Sequence, residues 1–163
     1  MSTLGQLYTA GEELLVELAA GERSGLPDPW LVGLYHTDDD LHDDHTHGAI
    51  TTEPQYDGPH EVRWPSDVGV EQLDVAGETT GIYTLVVSPG DPIEFDISEA
   101  TQPFDAYYVA ADFRSDRLGQ PGERRNLVWT HEIDTSDAAG DAIDPTADDN
   151  GVFPLVGVRF GLD

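Results

Sequence analysis

Three imidazoles and five carboxylates stand within the ten residues Asp38-Asp39-Asp40-Leu41-His42-Asp43-Asp44-His45-Thr46-His47. Neutral imidazole ligates Zn²⁺, Ni²⁺ or Cu²⁺ and carboxylates suit harder cations, so divalent-metal binding through His42, His45 and His47 is the chemistry this stretch offers. Its spacing fits neither an EF-hand, which needs a Gly and a late Glu, nor the His-x-His-x-Asp-His order of metallo-hydrolases. On so acidic a chain the stretch reads first as a solvated surface loop that the fold does not need. A structural or adventitious divalent metal is the one cofactor it admits, and no residue is assigned a catalytic role.

His45, His47 and Glu53 resemble the His-x-His and later Glu of the first cupin motif, and Ser88-Pro89-Gly90-Asp91 resembles the turn of the second. Five residues separate His47 from Glu53, Asp39 stands where cupins carry Gly, and no His follows along Ile93 to Phe113. A host-encoded, cupin-like β-barrel that binds a metal or ligand is therefore the alternative function. Other chemistry is thinner still. The chain has no Cys, which removes disulfides, thiolate sites and Cys nucleophiles together. It has neither a phosphate-cradling Gly-rich loop with Lys nor a Gly-x-Ser-x-Gly elbow. Carboxylate pairs are so frequent that their occurrence says nothing about acid–base work. His36 and His131, beside Trp30, Leu34 and Trp129, read as core or rim residues. Arg124-Arg125 reads as a partner for carboxylates of the same or a neighbouring chain. An enzyme is not expected.

The elements that must position these residues are mostly strands. Leu4, Leu7, Tyr8, Gly11, Leu14, Leu15 and Leu18 recur at steps of three and four, which predicts an amphipathic helix over 3–21, capped by Ser2 or Thr3 and stopped at Gly21. After Pro29 the period becomes two. Strands are expected at Trp30–Tyr35, His60–Trp64, Val68–Val75, Ile82–Ser88, Ile93–Ser98, Ala106–Phe113, Leu127–Asp134 and Val152–Leu162. With no helices between them, they point to a mainly β fold: an antiparallel β-sandwich or jelly roll with one N-terminal amphipathic α-helix. The chain reads as a single domain, 1–163, with a sandwich over 30–163 and acidic loops at 38–58 and 136–151.

Charge sets the surroundings. Acidic residues number 33 against 7 basic ones, all Arg, for a net charge of −26. Surface scaling gives one net negative charge per roughly 300 Å². Such a surface repels phosphates, so direct nucleic-acid binding is excluded. Scattered acids without Lys match the composition of salt-in halophiles, in which molar salt shortens the Debye length to about 3 Å. The longest apolar runs, such as Leu85-Val86-Val87, are too short to span a bilayer, so membrane insertion and a secretion signal are not expected.

An N-terminal amphipathic helix, a strand ending in Leu34-Tyr35-His36-Thr37-Asp38, alternating strands, Asn126-Leu127-Val128-Trp129 and a terminal Val158-Arg159-Phe160-Gly161-Leu162-Asp163 follow one another. This order resembles the small virion structural proteins of tailed viruses, of the tail-fibre, tail or minor head type. The resemblance implies a β-sandwich without enzymatic activity. With the halophilic composition it implies a component of a haloarchaeal tailed-virus particle, as capsid decoration, turret, neck or tail, assembled in the host cytoplasm. Its partners would be copies of itself and other virion proteins. Like-charged subunits meet where acids are sparse, which selects the C-terminal strand (Val156, Val158, Arg159, Phe160), then the helix (Leu7, Leu14, Leu18), with Arg124 and Arg125 facing carboxylates across the contact.

Overall fold

Alternation along Trp30–Tyr35 places Trp30, Val32 and Leu34 on one side of a strand and Leu31, Gly33 and Tyr35 on the other, and all six residues are buried. A strand apolar on both sides belongs in the middle of a covered sheet. The computed structural model puts it there. Its described residues are 5–23, 27, 29–56, 58–63, 67–75, 78–87, 92–133, 142–145, 151–155 and 158–160.

Along the chain these form β1 (Gln6–Leu7), α1 (Thr9–Ala19), β2 (Trp30–Tyr35), β3 (His60–Val62), β4 (Val68–Val75), β5 (Glu78–Val87), β6 (Ile93–Asp96), β7 (Ala106–Phe113), β8 (Arg124–Glu132), β9 (Val152–Leu155) and β10 (Arg159–Phe160). The largest sheet runs β1-β8-β7-β2-β3, a second runs β10-β5-β4, and β6 pairs with β9. Every described pairing is antiparallel. The mainly β class with one helix agrees with the sequence reading.

Several boundaries differ. The helix expected over 3–21 spans Thr9–Ala19, because Gln6 and Leu7 leave the helical path to pair with Thr130 and Trp129 at the sheet edge. Its expected caps, Ser2 and Thr3, lie outside the described residues. The stop at Gly21 holds: with φ +74°, it lets its own N–H bond Leu18 O and the Glu22 N–H bond Glu17 O, a Schellman closure. The long C-terminal strand is instead two short ones, β9 on β6 and β10 on β5. Most of the expected loop 136–151, the Ser88-Pro89-Gly90-Asp91 turn, Val156 and the side chains of Arg159 and Phe160 lie outside the description.

The main core joins Trp30, Val32, Leu34, Val109 and Val128 of the large sheet to Ile93, Phe95 and Ile97 of the β6 segment and to Ala10 and Leu14 of α1. Leu14 and Val158, expected at a subunit contact, are each 1% exposed in this core, where their apolar side chains are already covered. Leu7 packs against its rim and Leu18 is half-buried.

Gly11 sets how closely α1 approaches β8. A Cβ there would lie 2.5 Å from Val128 O and 3.0 Å from Val128 Cγ1. Gly11→Ala is expected to push the helix off the strand and, despite the better helix propensity of Ala, to lower stability by about 1–2 kcal/mol in thermal melts. A variant as stable as the parent would contradict this contact.

Candidate functional site

The second face of the large sheet carries Tyr8, Tyr35, Ala106, Tyr108, Ala110 and Leu127, and Leu41 and Ile50 of the acidic stretch pack onto them. Residues 36–56 are therefore a strap across the sheet, which corrects the reading of a dispensable solvated loop. A β-bridge from Thr46 to Asn126 and a hydrogen bond from Thr9 N to Asp43 O (2.8 Å) hold it along its length. Asp39 closes its two ends on each other: its carboxylate accepts from the backbone N–H and the hydroxyl of both Thr51 and Thr52, at 2.6–3.0 Å. Burial raises the Asp39 pKa, but these four bonds outweigh it and leave the group below the usual carboxylate range.

Glu53 is the centre of the strap. Tyr108 donates its hydroxyl to Glu53 Oε1 at 2.5 Å, and the Tyr56 hydroxyl donates to the same oxygen. His47 Nε2 lies 3.4 Å from Glu53 Oε2 and 3.0 Å from the Tyr108 hydroxyl. Because that hydroxyl gives its proton to Glu53, it accepts from His47, which fixes the imidazole as the Nε2–H tautomer. The Tyr56 hydroxyl in turn accepts from Leu34 N of β2 at 3.2 Å. Burial alone raises the Glu53 pKa, yet the bonds from His47, Tyr108 and Tyr56 leave it lowered. Burial and the Glu53 charge raise both tyrosines, so they stay protonated donors.

Gly33 makes this possible, since a Cβ at Gly33 would fall 2.3 Å from the Tyr108 ring. The missing side chain lets that ring lie across β2 and carry its hydroxyl to Glu53.

The three imidazoles expected as metal ligands do not converge. His47 turns inward to Glu53, whereas His45 Nδ1 accepts from His42 N at 3.0 Å and the two rings pack 4.9 Å apart. The cupin-like set His45, His47 and Glu53 is thereby split. His36 Nδ1 accepts from Asp38 N, and His131 stacks on Tyr107 with centroids 5.7 Å apart, both rim roles as expected. Arg125, expected across a subunit contact, spans to Asp112 on the paired strand of its own chain at 3.1 Å. Arg124 is exposed and donates to Glu123 O.

Among the described residues the closest gathering of possible metal ligands is elsewhere: Glu13, Glu17 and Asp116 offer oxygens within 4.8 Å of one another. Glu13, 4% exposed, already accepts from Ser115 Oγ at 2.5 Å and Asp116 N at 2.9 Å, and Glu17 pairs with Arg23 at 3.0 Å. This cluster fastens α1 to the turn after β7. Tyr8, Tyr35, Asp40, Thr130, His131 and Glu132 help to line an open hollow of about 300 Å³ beside the strap, and neither His47 nor Glu53 reaches it.

Sequence reading missed Tyr56, Tyr108, Asp39 with its threonines, and the Glu13–Ser115 bond. A signal for the Tyr108 approach was Gly33, a glycine inside an otherwise bulky strand, which marks a close approach. Compared with family models, curated proteins and solved structures, the chain matches none of them.

Proposed function

We propose that the chain is a non-enzymatic structural component of a haloarchaeal tailed-virus particle, working through contacts with copies of itself and with other particle proteins. The observation that carries the reading is where the polar side chains are spent. His47, Glu53, Tyr56 and Tyr108 bond one another and hold the strap to the sheet. On α1, meanwhile, one large apolar side chain, Val16, faces outward and is 64% exposed. Rigid strapping with an exposed apolar residue on the helix suits a building block better than a catalyst, whose reactive groups must meet substrate. The order of elements and the acid-rich, Lys-free composition add the virus type and the habitat.

The test is composition of the particle. Density-purified virions from a culture carrying the gene should contain the chain at fixed stoichiometry by quantitative mass spectrometry. Particles that assemble and infect normally without it, or that never contain it, overturn the proposal.

A further inference from the structure

On the outer side of α1, Glu12, Leu15 and Val16 join Gln6 and Leu7 of β1 and Arg117 around an open groove of about 490 Å³. Val16 at 64% exposed and Val152 at 41% are the large hydrophobic residues left in solvent among those described. Val16 stands with the apolar Leu7 and Leu15 in this groove, and such patches mark contact surfaces.

Charge decides what fits there. On a chain of net charge −26 most faces repel a second copy. Around α1 the acids are unusually compensated: Arg117 pairs with Glu12 at 3.4 Å, Arg23 with Glu17 at 3.0 Å and Arg114 with Asp116 at 3.2 Å. Three of the 7 arginines thus collect beside one helix. A two-fold contact needs a patch holding both members of each complementary pair. The groove has an apolar floor, Glu12 on the helix and Arg117 on the neighbouring turn, both about half-exposed. With the two opposite charges side by side in one patch, the groove is self-complementary in charge.

We infer that the groove between α1 and β1 is the surface through which the chain pairs with a second copy of itself, helix against helix about a two-fold axis with Val16 at its centre. This rests on the structural-component reading and names the partner for it. A contact one helix wide buries less than the ~1,600 Å² of a standard interface, so the pairing is weak, with Kd in the micromolar range, and is reinforced only within an assembly. Salt strengthens it by screening the repulsion between the two bodies.

The natural chain has no Cys, so Val16→Cys introduces a single thiol. Under mild oxidation in molar salt it should give a covalent dimer, while Val152→Cys stays monomeric. Sedimentation of Val16→Asp should show at least tenfold weaker pairing with an unchanged circular dichroism spectrum. Glu12→Arg and Arg117→Glu should each weaken pairing, and the double exchange should restore it. If Val16→Asp fails to fold, the cysteine pair decides, since Cys is close to Val in size. A parent chain monomeric at millimolar concentration, cysteine variants that cross-link alike, or a Val16→Asp that pairs as the parent does would overturn the inference. So would a groove that binds other particle proteins and never its own copy. Pairing without incorporation into particles removes the virion reading and leaves the surface standing. Incorporation of a chain that never pairs does the reverse.

Discussion

Glu53→Ala is expected to cost about 2–4 kcal/mol in molar salt and to open the strap before the rest of the fold. The carboxylate is the common acceptor for Tyr56 and Tyr108 and lies 3.4 Å from His47 Nε2, and its side chain is 26% exposed, so water replaces it only partly. Removing it leaves two tyrosine hydroxyls seeking partners at the edge of the core, at about 1–3 kcal/mol for each donor left unsatisfied. The loss should be read twice, as a lower unfolding midpoint and as faster hydrogen exchange at residues 36–56. Glu53→Gln, which keeps one oxygen acceptor, should lose roughly half as much. An alanine variant within about 0.5 kcal/mol of the parent, the range of an ordinary surface change, would show that the network holds nothing.

Acid should act on the same bonds. Glu53 and Asp39 both have pKa values lowered in the fold, so each adds stability above its ordinary carboxylate value near 4 and loses it as pH falls through the lower folded value. Protonation also relieves repulsion among the remaining acids, so global unfolding mixes two opposite effects. Exchange at the amides of Thr51 and Thr52, which bond Asp39 at 2.9 and 3.0 Å, separates them. Those amides should lose protection below about pH 4 while the core amides of β7 keep theirs.

Where the sequence was legible, it was legible through short-range pattern. Ile93, Phe95 and Ile97 alternate with polar residues, and their side chains are buried as the alternation requires. Gly21 ended the helix because a left-handed residue is written in the local sequence. The strap was not legible, because its fastenings join residues far apart in the chain: Asp39 with Thr51 and Thr52, and Glu53 with Tyr108 some 55 positions on. Only Leu41 and Ile50 betray its contact, and two apolar residues in a polar run look alike on a sheet and in solvent. The requirement was nonetheless present. The strand Trp30–Tyr35 is apolar on both sides, as is Ala106–Ala111, so something had to cover the second face. The two-residue strand β1 and the break between β9 and β10 arise from pairing across the fold and leave no local mark.

Lowering salt from molar to about 0.1 M is expected to remove about 3 kcal/mol of stability and to lower the melting temperature accordingly. The arginines cannot offset the acids, because five of the 7 are already committed in the chain, to Glu17, Glu61, Asp116, Glu12 and Asp112. At one net charge per roughly 300 Å², neighbouring charges lie about 17 Å apart. Two such charges in water repel by about 0.2 kcal/mol unscreened, almost nothing at a Debye length of about 3 Å, and a few hundredths at about 10 Å. Summed over nearest neighbours this reaches about 3 kcal/mol at 0.1 M and more below it, against a stability of about 5–15 kcal/mol for a typical domain. The strap should respond first, since Asp38, Asp39, Asp40, Asp43 and Asp44 crowd one segment held against the sheet. Exchange at residues 36–56 should therefore quicken at intermediate salt, ahead of any change in circular dichroism. A melting temperature and exchange pattern unaltered between molar and 0.1 M salt would remove the halophilic reading of the composition, and with it the argument that the compensated charges around α1 mark where two copies meet.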